Sequence, residues 1–206
     1  MAKHKATKSK SSKKLSLKII LPVVIILLVA FMLYTKIVLA DTAAVVNGEK
    51  ISTKRVDAIY NSLPNDQKLD KSKILDQIIT TKLLVGYIER NGYALSEEEF
   101  NILLGKQLKT RNTTLAELEA DLSLRGATLD DVRDNFLIER FVKNSIAPNI
   151  QIKSSEVSQY KKDENLTQTD KEVAKILFNI HQRDIINQIV INERKTSDVK
   201  IYVTYK

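Results

Sequence analysis

The sequence predicts a mainly α fold: a multi-helix module with a small antiparallel sheet formed by an N-terminal hairpin and a C-terminal strand, preceded by one transmembrane helix. Three observations carry that prediction. Residues 71–92, KSKILDQIITTKLLVGYIERNG, are apolar at three- and four-residue spacing over more than one narrow stripe, so a helix there must be surrounded. Ser or Thr with Glu or Asp three positions later stands before four further periodic segments, at 96–99, 114–117, 128–131 and 169–172. Short strand-like segments occur only near residues 43–51 and 198–206, at the two ends of the folded part.

The elements follow in order. Ala43-Ala44-Val45-Val46, Asn47-Gly48 and Glu49-Lys50-Ile51 read as strand, turn and strand, because Asn-Gly supplies the positive φ angles of a tight hairpin. Ser52 or Thr53 caps a helix to about Leu63, ended by Pro64. The hub helix comes next, with Asp70 as its N-cap and Gly92 as its stop. Ser96 opens a helix carrying Phe100, Leu103, Leu104 and Leu108. Thr114 opens one carrying Leu115, Leu118 and Leu122, ended by Gly126. Thr128 opens a long one from Leu129 to Ile146, carrying Phe136 and Phe141 and stopped by Ala147-Pro148.

A short polar helix starts at Ser154 or Ser155 and runs to Tyr160. Residues 161–168, KKDENLTQ, are by composition the least structured stretch. Thr169 opens the last helix, in which the polar turn His181-Gln182-Arg183-Asp184 predicts a kink or a change of buried face. Residues 198–206, DVKIYVTYK, alternate as a strand does, and its only available partner is the opening hairpin.

Charge divides the chain at residue 40. Of 33 basic residues, eight lysines lie in 1–40 with no acidic residue, which leaves 41–206 with 25 basic and 25 acidic residues. The formal +8 therefore belongs to the tail, and the neutral body lacks the excess that a phosphate backbone requires, so no nucleic-acid partner is expected. Residues 19–35 are 17 uncharged, mostly apolar residues between Lys18 and Lys36. Lysines before such a run place the N-terminus in the cytoplasm. The expected organisation is a basic cytoplasmic tail at 1–18, a signal anchor or signal peptide at 19–40 and an extracytoplasmic domain at 41–206. Residues 19–35 would meet membrane lipid, with release after cleavage at Ala40 as the alternative.

Reactive chemistry is hard to find. No cysteine is present, so disulfides, thiolate metal sites and a cysteine nucleophile are excluded. His181 and Asp184 are neighbours at helical spacing, but no nucleophile or second acid accompanies them, and a polar surface role is expected. Glu97-Glu98-Glu99 suits the positive end of a helix better than a cation site. No cofactor and no metal are expected.

The order of elements, with AVVNGEKIS at the start and GYALSEE joining hub to next helix, resembles the N-terminal chaperone module of the SurA, PrsA and PpiD group of exported envelope chaperones. The resemblance covers residues 43–160, and more loosely 169–205. It implies a protein of the periplasm or cell envelope that binds non-native polypeptide clients without catalysis. Members of the group carry a parvulin prolyl-isomerase domain before the closing helix; here residues 163–168 leave no room for one, so isomerase activity is not carried over. The resemblance also turns Phe100, Leu103, Leu104, Leu115, Leu118, Leu122, Phe136 and Phe141 into candidates for a polypeptide-binding cradle, since short helices cannot direct all of them at one hub. The competing class is a scaffold or assembly partner for one envelope complex.

Overall fold

The computed structural model describes residues 41–205. The expected basic tail and membrane segment, 1–40, lie outside the described residues. Among the described residues no helix is long and apolar enough to cross a membrane.

Strand β1 (Thr42–Val46) turns through Asn47-Gly48, both with positive φ, into β2 (Glu49–Ser52). Strand β3 (Val199–Ile201) pairs antiparallel with the other edge of β1, Ala44 opposite Ile201 and Val46 opposite Val199, giving the order β2-β1-β3. Asn47 N donates to Asp198 O at 2.8 Å and Tyr202 N to Ala43 O at 2.9 Å, so the two ends of the described chain are joined as the alternating pattern predicts. The strand is shorter than expected, ending at Ile201.

Helix α1 (Thr53–Ser62) begins where Ser52 Oγ accepts from Arg55 N at 3.2 Å. The hub α2 (Lys71–Arg90) buries Ile74, Leu75, Ile78, Ile79, Leu83, Leu84, Val85 and Ile88. They occupy several sides of the helix because β1, α1, α5 and α7 all pack on it. Full burial of an Ile or Leu is worth about 1.5–3 kcal/mol, so this helix holds the core. Asp70 caps through its carbonyl, which accepts from Lys73 N and Ile74 N, and its side chain makes no cap bond. At the far end Gly92 (φ 82) lets Tyr93 N reach Ile88 O and Gly92 N reach Glu89 O, which closes the last turn.

Helices α3 (Glu97–Arg111), α4 (Leu115–Leu124) and α5 (Leu129–Phe141) each open on the signature read in the sequence. Glu99, Glu117 and Asp131 reach back to the backbone N–H of Ser96, Thr114 and Thr128 at 3.1, 2.8 and 2.8 Å. The long helix expected to Ile146 gives way after Phe141 to a π-helical turn, Val142–Ile146, and a 3-10 turn, Ala147–Asn149, where Pro148 cannot continue the ladder.

One expectation needs correction, and another is met in one of its two forms, the change of buried face. Residues 161–168 are not the loose stretch their polarity suggests. Helix α6 (Ser154–Asp163) includes Lys161–Asp163, and Asn165 (φ 53) closes it by letting Leu166 N donate to Lys161 O at 2.9 Å. The reason is Leu166, which packs with Val157, Val173 and Leu177 in a small second core. The last helix, α7 (Asp170–Thr196), is unbroken at His181–Asp184. What changes there is the partner: Val173 and Leu177 face α6, whereas Val190 joins the main core on α2.

Candidate polypeptide-binding surface

Helices α3, α4 and α5 form the arm that carries most of the expected cradle. Capping boxes fix where each helix starts, and hence which side chains point together. Phe100 and Leu104 of α3, Leu118 of α4 and Phe141 of α5 are buried in the core; Leu103, Leu122 and Phe136 are half-buried, and Leu115 is 42 % exposed. Phe100 and Phe136 meet edge to face with ring centres 6.1 Å apart, and the Arg133 guanidinium lies 4.6 Å from the Phe100 ring centre. Arg133 also pairs with Glu97, and Arg140 with Glu99 at 3.1 Å, so α3 and α5 are stapled along their shared side.

Phe141 does not join this group. It stands at the other end of α5 in an aromatic cluster with Tyr87 (6.0 Å) and Tyr93 (5.2 Å), at a 400 Å³ notch that Ser145, Ile185 and Ile189 complete. Sequence reasoning missed the most exposed apolar residues of the arm, Ile102 at 51 % and Leu124 at 79 %. Ile102 carries a usable signal, for it falls outside the stripe of Phe100, Leu103 and Leu104 and must point away from the hub.

Helix α4 is flanked by two hollows. One, of 650 Å³, lies against α1 and is lined by Ser52, Arg55, Ala58, Leu122, Gly126 and Leu129. The other, of 350 Å³, lies against α3 and α5 and is lined by Gln107, Arg111, Leu118, Leu122, Val132 and Phe136. Gly126 (φ 66) ends α4 so close to α1 that a Cβ there would stand 2.6 Å from that of Ala58.

One charged cluster is buried beside the arm. Lys82 Nζ, on the hub, lies 2.6 Å from Glu49 Oε1 of β2 and 3.2 Å from Asp134 Oδ2 of α5. Burial pulls the Lys82 ammonium down, but its bonds to the two carboxylates outweigh this and its pKa is raised. Burial pushes the Asp134 carboxyl up, against the opposing pull of Lys82. His181 Nε2 lies 2.7 Å from Glu156 Oε1 and bridges α7 to α6, away from Asp184 as a partner. Among the described residues no three His, Asp or Glu side chains converge as metal ligands. Only residues 164–169 separate α6 from α7.

No family model matches the chain. Over 147 residues it is 26 % identical to "Chaperone SurA" of Xanthomonas oryzae pv. oryzae, covering 69 % of this chain and 32 % of that protein. Over 161 residues it is 25 % identical to "Chaperone SurA" of Chromobacterium violaceum, covering 71 % and 38 %. A solved chain from the description of PEB4 and Cj1289 as SurA-like chaperones of Campylobacter jejuni matches with 19 % identity and a TM-score of 0.39, covering 59 % of this chain and 48 % of that one. The chain thus shows distant homology to SurA chaperones over about 70 % of its length, and spans about a third of the length of those relatives.

Proposed function

We propose that this distant homologue of SurA chaperones is an exported, chaperone-like protein that holds unfolded or translocating polypeptides, without catalysis, at the outer side of the membrane. One observation carries the reading: in a chain distantly homologous to SurA chaperones, the helical arm leaves Ile102, Leu115 and Leu124 in water and hollows beside Leu122. Apolar residues offered on short helices bind extended chains weakly and with little regard to sequence. The apolar run at 19–35 after seven lysines supports a tether with its N-terminus in the cytoplasm and residues 41 onward in the periplasm or cell envelope.

The test is light scattering of a chemically denatured client diluted into buffer with the protein. Several-fold molar excess should suppress aggregation, and unchanged scattering rejects the reading. Affinity capture from detergent extracts distinguishes the competing scaffold role: many substoichiometric clients support the chaperone, a single stoichiometric partner the scaffold. A proline-limited refolding assay should show no acceleration.

A further inference from the structure

Helix α4 is held differently from its neighbours. Of its ten residues one, Leu118, is buried, at 7 % exposure. Among the described residues its polar side-chain contacts run only to its own flanks: Glu117 to Thr113 and Thr114, and Asp121 to Arg125. By contrast α3 and α5 are joined by the ion pairs of Arg133 and Arg140, and α1 and α5 by Arg55 with Asp131. The segments that connect α4 to the rest turn on left-handed residues, Asn112 (φ 50) before it and Gly126 (φ 66) after it.

Leu122 lines both hollows beside α4, so this one side chain is a wall between them. In the inner hollow, whose apolar wall of Leu118, Leu122, Val132 and Phe136 is rimmed by polar and charged side chains, Gln107 Oε1 is buried and accepts no hydrogen bond, an acceptor left open. We infer that α4 is a displaceable flap. When it swings out on Asn112 and Gly126, the two hollows join into one trough, floored by Val132 and Phe136, that takes an extended apolar segment of a client polypeptide. A helix of ten residues covers about 15 Å, enough for about four or five residues of extended chain. A client backbone N–H donates to Gln107 Oε1, which is why the occupant is a polypeptide and not a purely hydrocarbon ligand. This inference rests on the chaperone reading and adds to it where the client lies and what must move.

The absence of cysteine allows a direct test on the full chain. A thiol introduced as Val132→Cys sits under α4, and one introduced as Leu83→Cys sits in the hub, reachable only on global unfolding. Flap opening predicts that the thiol at 132 reacts with a maleimide at least about tenfold faster than the thiol at 83, because local opening costs less than unfolding. Excess reduced, carboxymethylated lactalbumin, a permanently unfolded chain, should slow the reaction at 132 several-fold and leave that at 83 unchanged. Leu118→Ala, which removes the anchor of α4, should raise the rate at 132 further. Hydrogen exchange of the unmodified chain supplies a second reading: amides of 115–124 should exchange faster than those of 100–108 and 132–140. Equal labelling at 132 and 83, equal exchange in all three helices, or client capture that leaves labelling at 132 unchanged overturns the flap while the chaperone reading stands. Failure of the protein to capture the unfolded chain at all overturns both.

Discussion

Lys82 and Asp134 face each other between α2 and α5 with Nζ and Oδ2 3.2 Å apart, and their side chains are only 10 % and 12 % exposed. The pair is unequal. Lys82 has a second carboxylate, Glu49, at 2.6 Å, whereas Asp134 has no other cation at ion-pair distance among the described residues. Losing Lys82 therefore strands a buried carboxylate, but losing Asp134 leaves Lys82 paired. Lys82→Met is expected to cost about 3–5 kcal/mol at neutral pH, the usual penalty for an uncompensated buried charge. Asp134→Asn should cost less, about 1–3 kcal/mol. Asp134 already has a raised pKa, and without Lys82 it rises further, so the Lys82→Met penalty should shrink as acidification neutralises the carboxyl. Urea unfolding at pH 7 and pH 5 measures both effects, and equal costs for the two variants would contradict the asymmetry.

Two glycines, one just past the end of α4 and one inside α3, should respond in opposite directions. At Gly126 alanine meets Ala58 Cβ at 2.6 Å and Arg55 O at 3.1 Å, on a backbone with φ 66, so Gly126→Ala should destabilise by more than about 1 kcal/mol. At Gly105, inside α3, a Cβ finds nothing within 4 Å, and Gly105→Ala should stabilise by about 0.5–1 kcal/mol. Melting temperatures of the two variants decide the matter.

The hub, the capping boxes and the closing strand were legible because each is written locally, in periodicity, in a Ser or Thr with its acidic partner, or in alternation. The apolar pattern of residues 71–92 requires a surrounded helix, and four partners surround it. Burial was less legible. Phe100 and Leu118, each four residues after its cap, are both enclosed, yet Leu115, one residue after the same cap as Leu118, is open, because α4 turns only one face to its neighbours. The order in 161–168 depended on Leu166, a single apolar residue in a polar run whose partners, Val173 and Leu177, lie on the next helix. Lys82 was hidden for the same reason: a lysine in an apolar helix looks like a break in the stripe until Asp134 appears from 52 residues away.

Acid should loosen the helix starts. The Ser96, Thr114 and Thr169 backbone N–H groups hold the carboxyls of Glu99, Glu117 and Glu172 below their usual pKa. A carboxylate with a lowered folded pKa stabilises fully above its ordinary value of 4.5 and loses that contribution as pH falls through the folded value. Replacing all three with Gln keeps an acceptor at the third position but removes the titration. The triple variant should therefore show a shallower fall in melting temperature between pH 5 and about pH 3 than the parent protein. Parallel acid limbs would show that the caps do not set the acid response.

The exposed apolar residues of the arm give the last prediction. Ile102, Leu115 and Leu124 contribute little to folding because each stays 42 % exposed or more, so Ile102→Glu with Leu124→Glu should leave the melting temperature almost unchanged. If these residues catch clients, the double variant needs several-fold more protein to suppress the same light scattering, since each apolar contact is replaced by a charge that must stay hydrated. Ile191→Glu provides the comparison: Ile191 is similarly exposed, at 46 %, but lies on α7, outside the arm. An equal loss from Ile191→Glu would mean that binding is spread over the whole surface. A loss confined to α3 and α4 assigns it to the arm, and no loss from either variant would leave the exposed residues without a part in client capture.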